Sequence, residues 1–450
     1  MKDLTTGNIS SLIFKFTLPM LLGNVFQQLY NVVDSVIVGN YLGEGALAAV
    51  GASFPVMFAL VSLVFGIASG ATIVISQYFG ANEMKKVKQA VFTMYVIVII
   101  SSVFLSVIGI VSSKAIFRLI DLPDEIIPNA SLYLDIIMGG IITTFGMSAT
   151  NSILRGLGDS RTPLYFLIAA SILNIVFDLL FVIVFKWGIA GVAVATVLAQ
   201  AISLAGAIIY LYKTHELFKG DMSDFNFNLD IFVKSVRIGL PSGMQHMFVA
   251  VGMIAIYRIV NQFDTSVIDA YSAAGRIDSF AIMPAMSFAM ALTVFVGQNI
   301  GANKIERVKK GLLSTILMTS VISIVFTLVA VFFGRPLMRM FSPTAEVIEV
   351  GYEYLVIVSA FYIVFAVMFC LNAVYRGAGD TIVPMFITLL ALWLVRIPIS
   401  WYLSEDLGPR GIWWGIPLAW IAGFSMSLIY FFTGLWKKHA VVKYQKQTRI

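Results

Sequence analysis

The chain has little charge, almost no cysteine and few histidines. Asp, Glu, Lys and Arg make up 12% of its 450 residues, against roughly 25% in soluble domains. That shortage excludes an ordinary water-soluble globular class. A single cysteine, Cys370, excludes an internal disulfide, and its place inside an apolar run suits core packing. The three histidines have no ligand spacing, which excludes the common metal-enzyme patterns. No Gly-x4-Gly-Lys-Ser/Thr loop occurs, so ATP is not expected to drive the chain, and no cofactor is expected. The first apolar run is too long for a cleavable signal and lacks a small-residue cleavage site.

What the chain has is apolar length. It is 59% hydrophobic, with a mean hydropathy of +0.91. The surplus falls into twelve runs of roughly 20 to 30 residues, each long enough to cross a hydrocarbon core. Segments of this kind must satisfy their own backbone, so they are helices. The expected fold class is an all-α polytopic membrane protein with twelve transmembrane helices.

Those runs are organised by a duplication. NSILRGLGDSRTP, Asn151 to Pro163, recurs as NAVYRGAGDTIVP, Asn372 to Pro384, 221 positions later. In each copy glycines permit a tight reversal, Asp159 or Asp380 can cap the next helix, and Pro163 or Pro384 fits its first turn. Gln77-x-x-Gly80-Ala81-Asn82 is answered by Gln298-x-x-Gly301-Ala302-Asn303, Arg118 by Arg339, and Tyr133-Leu134 by Tyr354-Leu355. Two copies in one register indicate a duplicated unit. The expected division is a six-helix half over 1–212, a linker over 213–233, a second six-helix half over 234–436, and a basic tail over 437–450.

The basic residues give an orientation. Lys85, Lys86 and Lys88 follow the second run, and Lys304, Arg307, Lys309 and Lys310 follow the eighth. With the linker and tail, about twenty Lys and Arg fall on one side against about six on the other, which predicts cytoplasmic termini in a cell membrane. The net charge of +6 is then a topology signal and requires no nucleic acid. Six-helix halves run in the same direction, as parallel repeats.

Polar groups inside the spans point to a site. In the first span Asn24, Gln27, Gln28, Asn31 and Ser35 share a helical face, with Asp34 near its edge and Pro19 one turn earlier. Such a stripe is unfavourable against lipid. The fifth span places Ser171, Asn174 and Asp178 on one face, the fourth Thr144, Ser148 and Asn151, and the sixth Thr196, Gln200 and Ser203. Oxygen ligands suit hard cations. Two buried carboxyl groups also suit a proton, because burial and repulsion disfavour the doubly charged state. Spacing alone leaves open whether the four helices converge, and does not choose between Na⁺ and H⁺. In the second half Ile256 stands at the position equivalent to Asp34, while Trp393 and Arg396 replace the Asn-x-x-x-Asp pair. Arg276 and Asp278 read as a structural pair, and His246 as an interior histidine. Methionines and aromatic groups adapt to varied apolar ligands. Candidates for a substrate cavity are Gln27, Tyr30 and Asn31, with Met244, Met247, Tyr257 and Met286 from spans seven and eight.

Taken together, Pro19 and Asp34 in the first span, the doubled QxxGAN corners and the paired RGxGD turns resemble the multidrug and toxic compound extrusion (MATE) transporters. The resemblance covers nearly the whole chain. It implies two pseudo-symmetric six-helix lobes in a V around a central cavity, alternating between faces. It also implies export of small amphipathic, often cationic, compounds in exchange for Na⁺ or H⁺. By that resemblance Asp34, Asn174, Asp178 and Thr196 match a cation-binding group, with Asn151 beside it. Some members carry acids in the seventh and tenth spans; here the seventh has none, and Glu353 lies near the start of the tenth. A flippase for lipid-linked sugars on a related architecture, a membrane-embedded enzyme and a passive channel are the alternatives.

Overall fold

The computed structural model describes residues 3–214, 217 and 222–442. Linker residues 215–216 and 218–221, and the basic tail from Lys443 with Lys446 and Arg449, lie outside the described residues. Among the described residues there is no strand. The helices are α1 Ile9–Leu42, α2 Glu44–Gly80, α3 Met84–Leu119, α4 Ile127–Gly139, α5 Ile141–Gly156, α6 Arg161–Asp178 and α7 Ile189–Thr214. They continue as α8 Leu229–Val260, α9 Thr265–Gly301, α10 Ile305–Arg339, α11 Ala345–Ser359, α12 Tyr362–Ala378, α13 Ile382–Leu389, α14 Ile397–Leu407 and α15 Pro409–Thr433. π-helical segments Leu179–Val184 and Leu390–Arg396 extend α6 and join α13 to α14.

Among the described residues ten helices are long and apolar enough to cross a bilayer, or up to twelve spans if each of two bent pairs is counted as one. The pairs are α4–α5, bent by 51°, and α11–α12, bent by 49°. Gly140, at the first bend, faces Val197 of α7 so closely that a Cβ would collide with its methyls. Large apolar side chains at Ile100, Val103, Phe104, Val107 and Val111 stay exposed along one face of α3. In water that stripe would be an aggregation patch; in a bilayer it is the lipid face.

The repeated motifs act alike in both halves. Gly158 and Gly379 adopt φ of +80° and +96°, the left-handed turn that glycine allows. Asn82 and Asn303, ending the QxxGAN corners, adopt φ of 59° and 57°, which asparagine tolerates better than most residues. Asp159 Oδ1 accepts from the Arg161 and Thr162 amides at 3.0 and 3.1 Å, and Asp380 Oδ1 from the Val383 amide at 3.3 Å. Both aspartates therefore satisfy helix-start donors, as their spacing predicts.

The chain forms two compact units, Leu18–Gly243 in one, and Leu4–Thr17 with the chain from Met244 in the other. The divisions fall inside α1 and α8, each within three residues of its proline, Pro19 or Pro241. In the first unit α8 crosses α2 through two glycine pairs at four-residue spacing. A Cβ on Gly66 would stand 2.6 Å from Gly239 O, one on Gly70 2.6 Å from Gly239 N, and one on Gly243 2.9 Å from Leu63 Cα. Backbone packs on backbone there, as small residues allow between membrane helices.

The basic corners also anchor chain within each unit. In the first, Asn228 N donates to Thr93 Oγ1 at 3.1 Å, Gln89 Nε2 to Asn226 Oδ1 at 3.1 Å, and Lys85 lies 3.5 Å from Asp224. In the second, Leu4 N donates to Gln298 Oε1 at 3.0 Å, Lys304 Nζ to Thr5 O at 2.9 Å, and Arg307 Nη1 to Gly7 O at 3.1 Å. These lysines and arginines, read from the sequence as topology signals, thus hold the segments that precede α8 and α1. Cys370 is fully buried beside Thr319, the packing role expected of it.

Candidate functional site

Four helices of the first unit supply the polar faces. A cavity of about 200 Å³ is lined by Gln27 and Tyr30 of α1, Thr144, Ser148 and Asn151 of α5, Ser171 and Asn174 of α6, and Thr196 and Gln200 of α7. The convergence that spacing left open is therefore present within this unit. Thr144 Oγ1 donates to Gln200 Oε1 at 2.5 Å and ties α5 to α7.

Asp178 is fully buried and Asn174 nearly so, while Asp34 is half-buried. The carboxyl group of Asp34 lies within hydrogen-bonding reach of that of Asp178, and Tyr30 reaches Thr196. One end of the Asn174 carboxamide is 2.9 Å from Asp178 Oδ2, the other 3.2 Å from Thr196 Oγ1. An ionised Asp178 only accepts, so it requires the amide nitrogen; a protonated Asp178 can donate to the amide oxygen. The amide can thus serve either charge state by turning over. Asp34 Oδ1, Asp178 Oδ1 and Asn151 Oδ1 are buried acceptors without a partner among the described residues. Three such oxygens in one unit suit a hard cation or a proton. No group of three His, Cys, Asp or Glu that could hold a metal occurs among the described residues, so the ligand set would draw on amide and hydroxyl oxygen as well.

The other polar and substrate-cavity candidates lie outside the lining of this cavity. Asn31 donates to Gln28 Oε1 at 3.4 Å on the surface of α1, and Ser35 donates to Asn31 O at 2.8 Å within the same helix. Met244, Met247, Tyr257 and Met286 belong to the second unit, where the last three are well exposed. His246 is exposed, not interior. Asp278 is buried, but its partners are tyrosines: Tyr362 donates to Oδ1 at 2.7 Å and Tyr354 to Oδ2 at 3.3 Å. Arg276 is exposed and makes no ion pair among the described residues. Around Asp278, Tyr271 stacks on Trp413 with centroids 5.5 Å apart, and Tyr354 meets the same ring edge-on at 5.1 Å. Asp278→Ala leaves two buried hydroxyls without an acceptor. It is expected to destabilise the protein by about 2 kcal/mol or more, read as a lowered unfolding temperature in detergent. Glu353 pairs with Arg410 Nε at 2.5 Å, which accounts for the acid near the start of the tenth span.

Two participants escaped the sequence reading. Arg155 lines the cavity, and Tyr133 lies near Asp34, Asp178 and Tyr30. The signal for Arg155 was available, because 144, 148, 151 and 155 continue one helical face. Tyr133, on the other side of the α4–α5 bend, left no such trace.

The MatE family model matches residues 19–180 and again 241–402. The chain belongs to the MatE family. The two matches also retrace the duplication. Among MatE relatives, the probable multidrug resistance protein YpnP of Bacillus subtilis is 31% identical, over 97% of each chain. The probable multidrug resistance protein NorM of Thermotoga maritima is 26% identical, over 96% of this chain and 94% of its own. A solved structure of a multidrug resistance MATE family transporter of the MOP superfamily, in an outward-facing conformation, superposes with a TM-score of 0.89. It shares 23% identity over 97% of this chain and 99% of its own. The fold of this multi-pass membrane protein is thereby that of the MATE transporters.

Proposed function

We propose that this MatE chain is a secondary antiporter that exports small amphipathic, often cationic, compounds in exchange for Na⁺ or H⁺, with Asp34 and Asp178 as the coupling groups. The observation that carries the reading is the proximity of these two carboxyl groups, with Asn174 and Thr196 beside them, next to a polar cavity inside the first unit. Side by side and out of water, two carboxylates repel each other, and a cation or proton relieves that repulsion. Binding of either would draw α1 onto α6 and α7, with Pro19 as the place where α1 has no backbone donor to lose. The ion then drives export only through its different affinity for the two conformations. Gln27, Tyr30, Asn31, Met244, Met247, Tyr257 and Met286 are the proposed substrate-contacting side chains, and Asn151 a neighbour of the ion. Nothing in this scheme uses ATP or nucleic acid.

The direct test is dye transport by the purified chain in proteoliposomes, with Na⁺ and pH gradients imposed separately. Export driven by one gradient and collapsed by the matching ionophore is the expected result. Steady dye leak independent of both gradients would make the chain a passive pore instead.

We place the protein in the plasma membrane with both termini in the cytoplasm, on the strength of the basic corners. In a Cys370→Ala background, Lys85→Cys is expected to react with a membrane-impermeant maleimide only after the cells are opened. Glu125→Cys, beyond the other end of α3, is expected to react in intact cells. Reversed labelling would invert the topology.

A further inference from the structure

The duplicated halves differ at one end of the bundle in a way that the coupling scheme does not use. α3 spans 36 residues, and its final turns carry Lys114 and Arg118 at the end away from the basic corner. The register of the repeat makes Lys114 equivalent to Arg335, Arg118 to Arg339, Pro128 to Glu349 and Ser131 to Tyr352. In the second unit this place is filled. Arg335 grips Glu349 with two hydrogen bonds, at 2.7 and 2.9 Å, and its guanidinium lies 3.9 Å over the Tyr352 ring. The first unit has neither the acid nor the ring. A cavity of about 370 Å³ remains there, lined by Lys114, Arg118, Asp124, Ser131 and Asp135 with apolar neighbours.

The charges around that cavity are mixed and face it rather than one another. None of Lys114, Arg118, Asp124 or Asp135 forms an ion pair among the described residues. Ser131 is 2% exposed, yet its hydroxyl has no partner there, and neither has the buried Asp135 Oδ1. Buried polar atoms are ordinarily satisfied, so two orphans on one cavity wall call for a polar partner from the cavity side. Ile127, Pro128 and Leu132 supply the apolar part of the lining, with Leu132 exposed, and Val111 and Leu119 are exposed on α3 near Lys114 and Arg118 in sequence, as lipid-facing side chains are.

We propose that this pocket binds a phosphate–ammonium zwitterion, the headgroup of phosphatidylethanolamine, with phosphate on Lys114 and Arg118 and the ammonium on Asp124 and Asp135. Lys and Arg supply charge-assisted donors to phosphate. A primary ammonium has three donors for carboxylate and hydroxyl oxygens, which a choline headgroup lacks. The apolar rim favours a lipid over the same headgroup free in solution. With the topology proposed above, the lipid belongs to the outer leaflet.

The test is native mass spectrometry of the delipidated full chain, titrated with phosphatidylethanolamine, phosphatidylcholine and phosphatidylglycerol of the same acyl chains. Phosphatidylethanolamine is expected to bind about tenfold more tightly than either, and Lys114→Ala or Asp135→Asn to erase most of that preference. The double substitution P128E/S131Y, which rebuilds the second unit's filling, should abolish it; Lys114→Ala, at an exposed position, keeps the test valid if the double variant fails to fold. Soluble glycerophosphoethanolamine that displaces the lipid at equal concentration would overturn the lipid assignment. Equal binding of phosphatidylglycerol, or a preference unchanged in Lys114→Ala and Asp135→Asn, would overturn the site.

Discussion

Asp178→Asn is expected to abolish gradient-driven export while leaving a folded protein. The substitution keeps shape and volume but removes the charge that an ion or proton must neutralise. Asp178 is fully buried with Asn174 at 2.9 Å, so an amide there can be accommodated by turning the Asn174 carboxamide. What is lost is the difference between ion-loaded and ion-free states. Site-to-site coupling is typically worth a 5- to 150-fold change in affinity, so drug binding should lose roughly that much dependence on Na⁺ or pH. Asp34→Asn is expected to behave similarly, because the two carboxyl groups act on one another. The pair of measurements is efflux into proteoliposomes and drug binding titrated with and without the driving ion. Coupled efflux at the wild-type rate in both variants would remove this site from the mechanism, whatever the family does elsewhere.

The second large effect concerns the crossing of α2 with α8. Gly66→Leu is expected to prevent accumulation of folded protein, and Gly66→Ala to destabilise it by about 1–3 kcal/mol or more. A Cβ at Gly66 meets main-chain atoms of Gly239 and Gly243, which cannot rotate aside as a side-chain methyl can. The two helices would have to separate, breaking the packing of Ser235 to Gly243 on the first unit. Gly51, earlier on α2, has nothing within 4 Å of its Cβ position and serves as the control. Gly51→Ala should be neutral or slightly stabilising, since alanine is the better helix former. Fluorescence-detected size-exclusion profiles with thermal challenge would report both. An unperturbed Gly66→Leu profile would mean that the close crossing is not required.

Much of this molecule was legible in its sequence. Hydropathy over a window of helix length identifies spans, because the bilayer imposes one length and one solvent on every segment. The RGxGD and QxxGAN motifs announce their turns, since left-handed backbone at Gly158, Gly379, Asn82 and Asn303 is a property of single residues. Helical periodicity put Asn174 with Asp178, and Thr144 with Ser148 and Asn151, on shared faces. All of these are local rules that act within a few turns.

Other features were settled only by the packing of helices distant in sequence. Asn31 and Gln27 look equivalent on a helical wheel, yet only Gln27 borders the cavity. Asp278 next to Arg276 reads as a local pair, but the helix turns them apart and two tyrosines from α11 and α12 supply the hydrogen bonds. The glycines at 66, 70, 239 and 243 carry a visible four-residue spacing, but not the identity of the partner. Tyr133 comes beside Asp34 and Asp178 without any pattern to announce it. The sequence by itself determined the membrane class, the duplication, the turns and the polar face of each helix. Only tertiary structure decided which faces meet, because close approach between distant segments depends on every side chain in the contact at once.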